Sequence, residues 1–372
     1  MPCFLRDGRV SLFSKWSGAG SGSAPRTQAA SAKGVRLPVN RTFERDLASL
    51  EAMSGTVPDL AGIERLRRAL DSHNNYLVAK AAKIVEDQNL IVLFAEVRAA
   101  YERFFVDPIT ADPQCWAKNA LVKTLVKLGC RETAVYLRGL RHHQNEPVWG
   151  GQADTAGELR GNCVQALLMC QELGSAELLS ILLEPLLDVD KSVRMEAARA
   201  IGQVGGITAA LLLKLRILIR KEEPEILGAC FSALLSMGHS DRLGSIALVA
   251  EFLHDGEEAA AEAAFSLAET HEPAALAALI ARRREGADAW FESVLDHAIV
   301  LTRLQGGMDF LLSMIEQDGR NAVSAIEAIS RLQNSPKVRA RVANAVAKSR
   351  NERVQLAFRK FFPELDLDPQ RY

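Results

Sequence analysis

The sequence predicts an all-α fold, a right-handed α-solenoid of about nine stacked helical hairpins, and three observations predict it. First, a compact apolar residue recurs within one helical pattern at Ala81, Leu121, Cys163, Ala197, Cys230, Ala263, Ala298, Ala325 and Ala357. The steps are 40, 42, 34, 33, 33, 35, 27 and 32 residues, a period that marks stacked helical pairs rather than one globular core. Second, the surrounding apolar residues keep helical offsets. Val193, Ala197, Ala200 and Ile201 form one stripe, Ile226, Cys230, Ala233 and Leu234 copy it, and Ala325, Ala328 and Ile329 repeat it. Third, hydrophobic residues make up 48% and aromatic residues only 6% of the 372 positions. Small and aliphatic side chains at that balance let helices approach closely.

In chain order, residues 1–41 come first and read as a disordered basic tail. They carry Arg6, Arg9, Lys15, Arg26, Lys33, Arg36 and Arg41 against a single acid, Asp7, with a Gly/Ser stretch from Gly18 to Ser23. A transit peptide has this composition too, but the apolar core of a secretory signal is missing. Residues 42–71 read as an N-terminal helical cap. Phe43, Leu47 and Leu50 and then Ile63, Leu66 and Leu70 fall at helix spacing, on either side of a break at Gly55 to Pro58. A cap is required because the first stacking face otherwise meets water. Residues 72–362 read as the repeat array and 363–372 as a C-terminal tail. Within the array, Asp112-Pro113, Glu223-Pro224, Glu272-Pro273 and Ser335-Pro336 mark helix starts, where the missing proline N–H goes unneeded. Gly205–Gly206 supplies the left-handed backbone that ends one helix and turns into the next.

The segment DVDKSVRMEAARAIGQVGG, residues 188–206, resembles a HEAT repeat, in particular the short form of phycobilin-lyase-type HEAT-like proteins. Asp190 and Arg194 match that family's aspartate before the helix and arginine just inside it, which the resemblance implies pair between neighbouring repeats. Other copies depart from the pattern: Asn75 stands for the aspartate in the first repeat, and the arginine is missing around Ala259. The resemblance covers roughly residues 72 to 362 and specifies architecture. Function does not follow from it, because HEAT arrays host unrelated activities.

The two long steps place extra residues at Phe104 to Cys115 and at His142 to Glu158. Insertions in repeat proteins form loops, often beside a binding face. The second gathers His142, His143, Glu146, Trp149 beside Gly150–Gly151, and Asp154. These five are the candidate binding residues, with Trp149 as an anchor for a protein or ligand; the alternative is a tryptophan tucked against the helix ends. Adjacent histidines point apart and no second cluster is spaced to join them, so no metal site is expected. His271-Glu272 is similar to the dipeptides with which deoxyhypusine hydroxylases, also HEAT proteins, bind two irons. That family carries several such pairs and this chain one, so a di-iron site is not expected either.

No phosphate loop, nucleophile elbow or Cys/His nucleophile spacing occurs. The expectation is therefore a protein that is not an enzyme and uses no cofactor. The expected role is a protein-interaction scaffold working through the concave face and the His142–Glu158 insertion. Two alternatives remain open: a bilin-lyase-like enzyme handling a chromophore, and a nucleic-acid-binding HEAT-like protein. Against the latter stands the balance of 45 basic and 46 acidic residues, since phosphate contacts need a cationic surplus. Lys214, Arg216, Arg220 and Lys221, and Arg282 to Arg284, are nonetheless local basic clusters. Six cysteines without a CxxC pair point to a reducing compartment. No apolar stretch approaches the roughly 20 residues of a membrane span, and a cytoplasmic location is expected.

Overall fold

The computed structural model describes residues 41–363 except 54, 239–240, 318–320 and 333–334. The expected tails, 1–41 and 363–372, lie almost wholly outside the described residues. Helices α1 (Arg41–Glu51) and α2 (Leu60–Leu70) come first; a boundary between two compact units falls within α1, at Arg45. There follow α3 (Asn75–Asp87), α4 (Phe94–Arg103), the single turn α5 (Pro108–Ala111), α6 (Trp116–Lys127) and α7 (Thr133–Leu140). A two-stranded hairpin, β1 (Asn145–Val148) and β2 (Gly151–Asp154), precedes α8 (Gly157–Leu167) and α9 (Ser175–Leu182). The chain continues through α10 (Lys191–Val204), α11 (Gly206–Leu218), α12 (Pro224–Ser236), α13 (Arg242–Glu251), α14 (Glu257–Ala268) and α15 (Pro273–Glu285). It ends with α16 (Ala289–Leu301), α17 (Gln305–Glu316), α18 (Ala322–Leu332), α19 (Pro336–Lys348) and α20 (Glu352–Phe361).

From α3 onward the helices form two walls. In the first, α3, α6, α8, α10, α12, α14, α16, α18 and α20 stack each against the next. In the second, α4, α7, α9, α11, α13, α15, α17 and α19 pack against first-wall helices, with α11, α13, α15 and α17 each touching two of them. The fold is an all-helical HEAT-like solenoid. The small-residue series explains the stacking. Its nine members lie one on each first-wall helix, and all but Ala357, at 6%, are wholly buried. At the eight alanine and cysteine positions a bulkier side chain would hold successive helices apart, because interiors are packed to crystal density. One close approach is at Gly202 in α10, where a Cβ would stand 2.8 Å from the Ala233 Cβ of α12 and 3.2 Å from its carbonyl oxygen.

Local chemistry sets the helix ends. Asp190, Asn74, Asp288, Ser335 and Asn351 each cap a first turn through a side-chain oxygen. Pro224, Pro273 and Pro336 open α12, α15 and α19, and Pro113 opens a 3-10 turn ahead of α6. Gly205 and Gly206, at φ +71° and +83°, make the tight corner between α10 and α11. Pairing between repeats differs from what the resemblance implies. Asp190 is occupied as a cap, and Arg194 reaches Glu222 and Glu223 of the next repeat at 3.3 and 2.6 Å. The aspartate that receives an arginine from the preceding repeat is Asp188, held by Arg160. The five described cysteines are free and buried; burial pushes Cys115, Cys163 and Cys230 up to about 12, which suits packing rather than nucleophilic chemistry.

Candidate functional site

The His142–Glu158 insertion, expected as a loop, folds as a β-hairpin. Its register pairs Asn145 with Asp154 and Val148 with Gly151, so Trp149 and Gly150 form the two-residue turn. Gly150 takes the left-handed position, φ +92°. Trp149 stands at the tip with a relative exposure of 104%, and Val148 beside it is 46% exposed. The tryptophan does not tuck against the helix ends.

The base is as buried as the tip is exposed. Glu146 is 8% exposed, and its Oε1 accepts from the Gln114 amide at 2.7 Å, the Gln144 side chain and the Thr155 hydroxyl at 2.8 Å. Burial alone would raise this carboxyl; the donors from Gln144, Gln114 and Thr155 outweigh it and hold it below the ordinary range. Gln144 also donates to the Asp112 carbonyl at 2.8 Å. These bonds tie the second insertion to the first. His142 stacks edge-on to Phe105 at 5.1 Å, and burial lowers its pKa, leaving it neutral near pH 7.

Two charged clusters anchor this junction. Asp112 and Lys118 are both wholly buried, with Nζ 3.0 Å from Oδ2. Asp112 further accepts the Ala117 and Lys118 amides and the Asn75 side chain, and Lys118 donates to the Phe104 carbonyl. Arg160, 2% exposed, forks onto Asp188 at 2.7 and 2.9 Å. It also reaches Asp154 at 2.7 Å and the His142 carbonyl at 3.1 Å. Bidentate pairing of this kind is strong and directional. Burial would raise Asp154, but the Gln144 and Ala156 amides, His143 and Arg160 hold it well below the usual carboxylate range. Between the clusters, Gln114 and Cys115 take consecutive left-handed conformations, φ +59° and +55°. Non-glycine residues hold that geometry only where surroundings impose it, here the Glu146 bond to the Gln114 amide.

The five candidate residues therefore occupy one hairpin in three settings. Glu146, Asp154 and the half-buried His142 build the base, exposed His143 pairs with Asp154 at 2.8 Å on its flank, and Trp149 projects from the tip. Asp112, Gln114, Lys118, Gln144, Arg160 and Asp188 were not singled out as site residues. Their partners lie 28 to 32 residues away for Arg160–Asp188, Gln114–Glu146 and Gln144–Asp112, so no local spacing signals them. Val106 and Ile109 on the first insertion and Trp116 at the start of α6 are exposed apolar residues, and Tyr76 stands 6.0 Å from Trp116.

Comparison with models of known families finds no match, and comparison with curated proteins finds none. Among solved structures, the chain is similar to human deoxyhypusine hydroxylase in complex with glycerol, at 15% identity and a TM-score of 0.28. The match covers 72% of this chain and 92% of that one. At that level the likeness transfers no activity and no site. It does correct one expectation. The missing catalytic signatures do not establish that the chain is not an enzyme: the similar structure is that of an enzyme.

The other sequence candidates have structural occupations. His271 lies 3.0 Å from the Thr302 carbonyl, and Glu272 pairs with Arg242 at 2.9 Å. Lys214 pairs with Asp241, Arg216 with Glu222, Arg220 with Asp255, and Arg283 with Asp296. Among the described residues, no group of three or more His, Cys, Asp or Glu side chains is placed to hold a metal ion. No described helix is long and apolar enough to cross a membrane.

Proposed function

We propose that the chain is a protein-binding solenoid, a scaffold that engages its partner through the concave face of the array and the Trp149 hairpin. The observation that carries this reading is a tryptophan fully exposed on a hairpin whose base is buried and bonded. A lone exposed tryptophan is unfavourable in water, and its burial in a partner's pocket is among the largest single contributions an interface makes. The bonds of Glu146, Asp154 and Arg160 fix the hairpin before binding, so little ordering entropy is lost on association. Val148, 46% exposed, supplies apolar contact area beside the anchor.

Affinity capture from native extract tests this with the wild type and Trp149→Ala, matched for melting temperature. Full exposure of Trp149 predicts an unchanged melt. At least one protein retained by the wild type should drop roughly tenfold or more with the variant, the range of a hot-spot truncation. Equal recovery of every retained protein would sink the assignment to this hairpin.

A further inference from the structure

We infer that the open edge of strand β2 is a docking site for an extended peptide segment of the partner, which adds to the hairpin as a third strand. The inference rests on the protein-binding reading and states what kind of chain the hairpin takes. The register decides which backbone groups point outward. The Thr155 amide donates to the Gln144 carbonyl at 2.9 Å, so 144 and 155 face each other as a hydrogen-bonded pair. Bonded and non-bonded pairs alternate along an antiparallel ladder. Pairs 146–153 and 148–151 are therefore bonded, while residues 145, 147, 152 and 154 turn their backbone groups outward. On β1 one of the two outward residues is Pro147, which has no N–H to offer. On β2, Gln152 and Asp154 each present a donor and an acceptor, repeated at the ~7 Å that strand geometry sets. Among the described residues nothing else bonds to these four groups, and Gly151, Gln152 and Ala153 are exposed. Proline and lysine are the usual guards of a sheet edge; β1 has the proline and β2 has neither.

These groups select their occupant. Donors and acceptors in a row at strand spacing are matched by a second extended backbone, and not by a helix, whose own groups are bonded internally. A two-stranded hairpin is marginal in water, and a third strand supplies the pairing that it lacks. Side chains narrow the choice further. Gly151 shares a face of the hairpin with Val148, its cross-strand partner, and a Cβ on Gly151 would meet nothing within 4 Å. Val148, 46% exposed, is therefore open across the glycine. A bulky apolar residue of the incoming strand, set opposite Gly151, reaches over it to Val148 beside the Trp149 turn. The segment that fits is thus an extended stretch with an apolar side chain at that register.

The probe is a set of peptides selected on the full chain from a phage-displayed random dodecapeptide library and titrated by fluorescence anisotropy. Selected peptides should bind with dissociation constants tighter than ~100 µM. Gln152→Pro should weaken them at least ~10-fold while the melting temperature holds, because the lost N–H carries no bond within the hairpin. Single N-methylation along the peptide should weaken binding at every second residue and spare those between, a period that side-chain docking does not produce. That scan uses the wild-type chain, so it decides the question even where Gln152→Pro unfolds the hairpin. Equal affinity for wild type and a folded Gln152→Pro, or a scan without the two-residue period, overturns the inference. Where Trp149→Ala still weakens those peptides, the hairpin remains a protein contact and only the added strand falls. A library that yields no peptide tighter than ~1 mM also overturns it, and the Trp149 anchor then stands or falls by its own capture experiment.

Discussion

At the scale of single residues, the junction of the two insertions rests on buried charges that are partnered. Asp112 compensates Lys118 and satisfies two amides of α6, so removing it strands an ammonium in a site with no solvent. Asp112→Ala should lower unfolding free energy by about 3–5 kcal/mol, the range for breaking one partner of a buried pair, measured by urea unfolding. A loss under about 1 kcal/mol would mean that the pair is hydrated. Glu262 is the opposite case. Burial, with Glu225 adding repulsion, pushes its pKa from 4.5 up to about 7. The folded chain therefore binds a proton in that window that the unfolded chain has released. This group's contribution to stability is complete below about pH 4.5 and is lost as pH rises through 7. Glu262→Gln should accordingly gain about 2 kcal/mol over wild type at pH 8, after allowance for partial solvent screening, and little at pH 4. Paired melts at the two pH values decide it; an equal gain at both would show that Glu262 titrates normally.

At the scale of elements, much was legible and the exceptions are instructive. The Val193, Ala197, Ala200, Ile201 stripe became α10 because side chains at 3.6-residue spacing share one face, and the proline starts fell where a helix lacks N–H partners anyway. The hairpin was not legible. Its four-residue strands, NEPV and GQAD, hold no alternation of apolar and polar residues and few β-formers. What holds them is the bonding of Glu146 and Asp154 to residues of other elements, which sequence spacing does not display. The α10 register makes its own prediction. Ala197→Asp puts an unpaired carboxylate where exposure is zero, and it should destabilise the array by about 4 kcal/mol or more. A thermal melt by circular dichroism that matches wild type would contradict the register.

At the scale of the whole molecule, an array in which each helix contacts only its neighbours gives extended walls but no enclosed core, and function falls to whatever departs from the repeat. Two departures stand out here: the pair of insertions joined at Glu146 and Gln114, and the aliphatic face of α11, where Ile207, Leu211, Leu215 and Leu218 are exposed. The first was located in the sequence by the steps of 40 and 42 residues; its buried ties, and the exposure of its tryptophan, needed the fold. The second is not legible in sequence, because apolar residues on both sides of a helix carry no mark of which side meets water. The claim that the hairpin is a protein contact is tested most directly by placing a photoreactive benzophenone amino acid at Trp149 and, as control, at Lys337 on the far end of the array. After irradiation in native extract, the account predicts a discrete heavier adduct from position 149 and none from 337. No adduct from 149, or the same adducts from both positions, would contradict it.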